Sequence, residues 1–189
     1  MTCDLIRCET ATQQKAASNS WDDWSGENTE ELTLRWENEA WTASGVVTGE
    51  NIQYVVRLSP LWEVRQFLLF RDLDEPDLWL GTDGTRWGEV NGVHRDELTG
   101  ASDVAFGCTP FDHVAPVRRL GIDPGATTTL TVACIDIETL GIVVRERQYE
   151  RLTERRWRVV DSALDLELCA FGVDEFGLPL DVEGAFRRR

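Results

Sequence analysis

Residues 51–58 read NIQYVVRL, and their alternation decides the fold class. Ile52, Tyr54, Val56 and Leu58 fall on one face of an extended chain, with Gln53 and Arg57 opposite. Side chains of a strand alternate with a period of two, so the segment reads as a strand with one dry face. Upstream, ELTLRW (31–36) repeats the pattern, with Leu32, Leu34 and Trp36 opposite Thr33 and Arg35. WTASGVV (41–47) supplies a strand between the two, after a turn near Asn38. Downstream, Ser59-Pro60 interrupts the run, since proline cannot donate to a ladder. LWEVRQFLLF (61–70) then places Trp62, Val64, Leu68 and Phe70 on one face, opposite Glu63 and Arg65. Phe67 and Leu69 occupy the second face, which predicts cover on both sides at that end.

The same rhythm continues to the C-terminus. Asp83-Gly84 and Asn91-Gly92 suit the positive-φ positions of hairpin turns, so residues 77–95 read as a meander. SDVAFG (102–107) is a further short strand. TPFDHVAPVRRLG (109–121) breaks the alternation with two prolines and reads as a loop with one short helical turn. TTTLTVACIDI (127–137), IVVRERQYERL (142–152), RWRVV (156–160), ALDLELCAFGVD (163–174) and LPLDV (178–182) are strands. In the fourth of these, Leu164, Leu166, Leu168 and Ala170 share a face, opposite Asp165, Glu167 and Cys169. No amphipathic helix of any length is visible. The expected fold is all-β: a large curved antiparallel sheet forming a half-open barrel or sandwich, with a short loop or helical segment near 109–121. Residues 1–30 are polar and read as a flexible lead, its end anchored by Trp21 and Trp24. Residues 31–189 form a single β domain.

The 19 Lys and Arg against 34 Asp and Glu leave a net charge of −15 over 189 residues. Such a field repels phosphate backbones and argues against nucleic acid as a partner. Lys15 is the single lysine. An acidic, lysine-poor surface fits a saline host cytoplasm, with an ordinary well-solvated acidic protein as the plain alternative. No stretch approaches the ~20 apolar residues of a membrane-spanning helix. Cys3, Cys8, Cys108, Cys134 and Cys169 are scattered and odd in number. They read as reduced thiols of a cytoplasmic protein, and no signal-peptide pattern opens the chain. With only His94 and His113 beside them, no zinc spacing appears, and neither a metal nor a cofactor is expected.

Nucleophilic catalysis has little support, since no GxSxG, SxxK or HExxH is present. His113 with Asp112 or Cys108 is the one constellation for a small hydrolase or isomerase. The acidic run Asp72, Asp74, Glu75 and Asp77 reads as a solvated turn, lacking the spacing of a cation loop. Arg118-Arg119, the arginines at 145, 147, 151, 155, 156 and 158, and the terminal Arg187-Arg188-Arg189 are either paired locally or form an anion clamp. Most of the tryptophans read as core. Indoles and arginines on a curved sheet also suit an amphiphile, with acyl chains on apolar walls and a polar head on Arg and Trp N–H.

DVAFGCTPFDHVAPVRRL (103–120) resembles the signature block of a bacterial and archaeal glycolipid-binding family, formerly a domain of unknown function. Thr109, Pro110, Phe111, Pro116, Arg118, Arg119 and Leu120 carry the match. Gln148 and Tyr149 in VVRERQYERL, and Gly177, Leu178, Phe186 and Arg188 near the end, extend it over about residues 31–189. The chain departs from the pattern at Asp181, Gly184 and Ala185, and at Asp112 and His113, which bears on the ligand rather than the fold. The resemblance implies a lipoprotein-carrier-like half-open β structure around an apolar cavity. The glycolipid label rests on that likeness, and no catalytic residue is implied. The expected function is non-catalytic binding of an amphiphile such as a glycolipid. The candidate ligand-binding residues are Trp79, Trp87, Thr109, Phe111, His113, Arg118, Arg119 and Tyr149. A small enzyme using polar cavity residues, or a protein-interaction module presenting Trp79 and Trp87, are the alternatives. Membrane contact would be peripheral, through the arginine tail. An apolar cavity beneath Arg118 and Arg119 favours binding, and a filled core there favours the interaction module.

Overall fold

A computed structural model of the chain describes residues 16–72 and 75–189. Cys3, Cys8, Asp74 and the first half of the polar lead lie outside the described residues. Strand β1 is Ala16–Asp23, β2 Thr29–Glu37, β3 Ala40–Thr48, β4 Ile52–Leu58, β5 Val64–Phe70, β6 Leu78–Thr82 and β7 Trp87–Glu89. After β8, Asp103–Ala105, come a 3-10 turn at Pro110–His113 and a short helix α1 at Val114–Arg119. The chain then runs through β9 Thr127–Ile135, β10 Ile142–Thr153, β11 Arg156–Asp161, β12 Leu166–Val173, β13 Pro179–Val182 and β14 Phe186–Arg188.

These 14 strands form one curved, unclosed sheet in the order β7-β6-β5-β4-β3-β2-β1-β14-β13-β12-β11-β10-β9-β8. Every pairing is antiparallel except β8 with β9. The large antiparallel sheet and short helical segment expected from the sequence are both present, as a single curved sheet. Part of the stretch read as a polar lead is strand: residues 16–23 pair with β2 on one side and β14 on the other. Trp21 anchors them, fully buried, its indole N–H donating to the carbonyls of Pro179 at 3.0 Å and Leu180 at 3.1 Å.

Residues 106–119 lie across the inner face of the sheet and fill its concavity. Phe106 packs edge-on against Tyr54 at 4.7 Å and against Phe67 at 5.1 Å, while Phe111 stacks on Tyr54 at 5.8 Å. Farther along, His113 stacks on Phe171 of β12 at 4.8 Å, and Val117 joins the cluster of Tyr149, Trp157 and Val159.

Two strands depart from strict alternation. In β5 the buried side chains are Val64, Phe67 and Leu69, not Val64, Leu68 and Phe70. A register shift lets Leu58 face Val64 while Arg57 faces Gln66, so one extra residue reverses the parity of everything after it. In β12 the shift opposite Val159 and Val160 leaves Leu168 as the extra residue. Phe171 and Val173 turn inward, and Leu164, Leu166 and Leu168 are left at the surface.

Candidate functional site

Thr109, Phe111, His113, Arg118 and Arg119 sit on the inner segment, and the structure shows what each holds. Thr109 caps the 3-10 turn, its hydroxyl accepting from Phe111 N–H at 2.9 Å. Its own proton is donated to Glu30 Oε1 on β2. Tyr54 donates its phenol proton to the same oxygen. Glu30 is only 2% exposed, and its second oxygen, Oε2, is buried without a partner among the described residues.

This centre depends on a glycine. Gly45 of β3 faces Tyr54 across the β3–β4 ladder, and a Cβ at Gly45 would lie 2.1 Å from Tyr54 Cε1. The tyrosine ring therefore lies flat over the glycine and reaches Glu30 on the next strand. In the sequence Glu30 reads as one more surface acid. The usable signal was parity, since it shares the face of Leu32 and Leu34.

The arginines expected to clamp an anion are engaged with the protein. Arg119 pairs with Asp103, which is almost fully buried. Arg118 donates to the Phe176 carbonyl, and its guanidinium lies 4.4 Å over the Trp62 ring. The space bounded by Arg118, Leu34, Trp41, Trp62 and Leu178 amounts to about 10 Å³. That is no more than one small water site, so the core beneath Arg118 is filled. Elsewhere Arg158 pairs with Glu150, Arg188 with Asp174, Arg189 with Asp22, and Arg71 with Asp77 of the acidic run.

His113 and Tyr149 come together at 3.2 Å, Nδ1 to hydroxyl. The other ring nitrogen of His113 is 3.4 Å from Cys169 Sγ, so the cysteine it meets is Cys169. Burial pushes His113 down to about 3 and Cys169 up to about 12. Both shifts run against a thiolate–imidazolium pair, and the two groups are uncharged at neutral pH. Asp112 accepts from Phe106 N–H and Gly107 N–H, folding the loop back on itself. Trp87 is buried, its indole donating to the Ala101 carbonyl at 2.8 Å. Trp79, between buried Leu78 and Leu80, projects from the opposite face of β6. The structure thus brings Thr109 and Phe111 to one centre and His113 and Tyr149 to another, and leaves Trp79 and Trp87 apart from both.

The larger cavity lies at the Glu30 end of the sheet and holds about 220 Å³. Trp21 and Asp23 of β1, Glu30 of β2, Cys108 of the inner loop and Phe186 of β14 line it, with Glu50 also contributing. Glu50 is exposed, whereas Glu30 is deeply buried. Asp23 is committed to its own turn, with Oδ1 accepting from Gly26 N–H and Glu27 N–H and Oδ2 from the Asn28 amide. Burial is the chief reason that the Glu30 carboxyl is pushed up to about 7, against the two hydroxyls that favour its charge. No lysine or arginine lines this cavity. Among the described residues, no group of three or more His, Cys, Asp or Glu is placed to hold a metal ion, and no helix is long and apolar enough to cross a membrane.

The family model described as "Putative glycolipid-binding" matches residues 19–188. The chain belongs to that family. The match takes in β1 as well as the later strands, so the part of the polar stretch that is strand is also part of the family's domain. Its signature block is the inner segment, and here the block is architectural: Thr109 holds Glu30, Arg119 holds Asp103, and Arg118 closes the core over Trp62. A crystal structure of a DUF1089 family protein from Pseudomonas aeruginosa is similar to the chain, with a TM-score of 0.67 and 21% identity over 92% of this chain and 94% of that one. That likeness is one of fold. No curated protein is significantly similar to the chain.

Proposed function

We propose that the chain is a non-catalytic binding protein for an amphiphile, with the polar head of the ligand seated in the cavity over Glu30. The observation that carries this reading is a half-open cavity of about 220 Å³ whose lining combines the aromatic walls of Trp21 and Phe186 with the buried side chain of Glu30. Whole-ligand pockets span about 300–1,000 Å³, so this cavity takes a head group and leaves the acyl part outside. Membership of a family described as glycolipid-binding agrees with such a head. In this reading Thr109 acts by fixing Glu30, while Phe111, His113, Arg118, Arg119 and Tyr149 hold the inner segment beside the cavity.

Native mass spectrometry of protein purified without detergent tests this directly. The expected spectrum carries an added mass equal to a host lipid, or acquires one after incubation with a host lipid extract. Protein that stays bare under both conditions overturns the reading. The filled core beneath Arg118 favours a second one, an interaction module docking through the surface that carries Leu164, Leu166 and Leu168. It takes precedence if no lipid is ever retained.

A further inference from the structure

The outer face of β2–β6 carries apolar side chains that the core does not use, and strand pairing lays them out in rows. Ser44, Val55, Leu68 and Trp79 are successive cross-strand neighbours on β3, β4, β5 and β6. The row on one side of them runs from Glu31 of β2 through Val46 and Gln53 to Phe70. The row on the other side runs from Arg35 through Thr42 to Arg57. The intervening residues of these strands are the buried ones, so all three rows share the outer face. Val46 is 42% exposed, and Val55, Leu68, Phe70 and Trp79 are half-buried and belong to neither core cluster. A contiguous apolar patch with a charged rim marks a contact surface.

Charge on this face passes from base to acid along the strand direction. Arg35 and Arg57 are exposed and make no ion pair or side-chain hydrogen bond among the described residues. Glu31, exposed on the opposite row, is the one acid in the three rows. Arg189 acts on it only from a distance, being paired with Asp22. Such a face is complementary to itself. A two-fold axis lying along the middle row turns the strands end for end, so the arginine row of one copy covers the glutamate row of the other. Arg35 then meets Glu31 of the second copy, while Val55, Leu68 and Trp79 meet their own counterparts. An axis along the strands would stack arginine on arginine instead, which like charge opposes. The outer face is the convex one, with the small Ser44 and Val55 at its middle and the long Arg35 and Trp79 on the flanks, where two convex sheets diverge. In a chain of net charge −15, a face with two unpaired bases and one acid is where a second acidic copy is least repelled.

We propose that the outer face of β2–β6 is the contact of a two-fold symmetric dimer, in which Arg35 pairs with Glu31 of the second copy around an apolar centre of Val55, Leu68 and Trp79. Glu30 and Val47 of the cavity belong to the inner face, so the contact holds whatever the cavity binds. Sedimentation velocity of the full chain over about 5–200 µM tests it, in about 0.3 M potassium chloride to bring the Debye length below 8 Å. The native protein should reach twice the chain mass at the upper concentrations. Trp79→Asp should weaken association ten-fold or more while still melting cooperatively. Arg35→Glu and Glu31→Arg should each weaken it about five-fold or more, and the double variant should return to within a few-fold of the native protein. Glu31 and Arg35 stand about 13 Å apart on their own strand, so that recovery acts between chains. A native protein that stays monomeric throughout overturns the proposal. So does a dimer that Trp79→Asp leaves unchanged, or a double variant no tighter than the weaker single one. Monomer that floats with phosphatidylglycerol vesicles, and loses that ability in Trp79→Asp, gives the face to a membrane and overturns the dimer.

Discussion

Glu30 shows how a single buried acid couples folding to pH. Its carboxyl is raised from an ordinary 4.5 to about 7, chiefly by burial. The folded chain therefore holds this proton more tightly than the unfolded chain does. The stability linked to the proton is full below pH 4.5 and is lost as pH rises through 7. Asp112, raised by burial from 3.8 to about 6, adds a contribution of the same sign over a lower window. Each unit of pKa is worth about 1.36 kcal/mol, so the Glu30 contribution amounts to a few kcal/mol. The melting temperature of the native protein should fall between pH 5 and pH 8, and that of Glu30→Gln should fall less. Equal slopes by circular dichroism would show that Glu30 is not the titrating group. Relief of the net charge on acidification affects both variants alike, so the difference isolates Glu30. The residue was visible in the sequence only through its parity with Leu32 and Leu34. Nothing local says that Thr109, 79 positions away, would meet it.

At the scale of elements, the inner segment is held by contacts that its own sequence announces only in part. Pro110 and Thr109 mark the start of a 3-10 turn, and the turn is there. Arg118 and Arg119 are polar enough to suggest a ligand, yet they face Phe176, Trp62 and Asp103. Asp103 is 1% exposed, so removing its guanidinium partner leaves a buried carboxylate without a counter-charge. Arg119→Leu should cost about 3–5 kcal/mol in denaturant unfolding. Adding Asp103→Ala should restore a large part of that loss, and a double variant no more stable than Arg119→Leu would refute the pairing as the reason. The alternating strands β2, β3 and β4 were legible because hydrophobic parity alone specifies them. The buried set of β5 was not, because a one-residue bulge inverts parity and is set by the neighbouring strand. Strand β1 was obscured for a different reason: Ala-Ser-Asn-Ser lacks apolar period and is ordered by pairing on both sides.

For the whole molecule, the −15 net charge lies over an ordinary β core, and apart from Glu30, Asp103, Asp112 and Asp161 the acids of the described residues lie on wet faces and in turns. Self-repulsion of that size is screened by salt, so raising potassium chloride from about 0.05 to 1 M, where the Debye length falls to about 3 Å, should raise the melting temperature. A melting temperature that is flat or falls over that range would show that surface charge does not limit stability. The strand order has a further consequence. Strands β1–β7 form one run of sequential neighbours and β9–β14 another, and the two runs are hydrogen-bonded into one sheet along the β1–β14 ladder, where Trp21 faces Arg188. A circular permutant opened in the Asn91-Gly92 turn and joined at the native ends would traverse the sheet in unbroken order from β8 to β7. In the native connectivity β1 and its partner β14 are made far apart in time, so that edge of β1 waits for β14. Trp21 on one side and Ala185 and Phe186 on the other wall the cavity, so the cavity takes shape only once β14 has been made and that seam has closed.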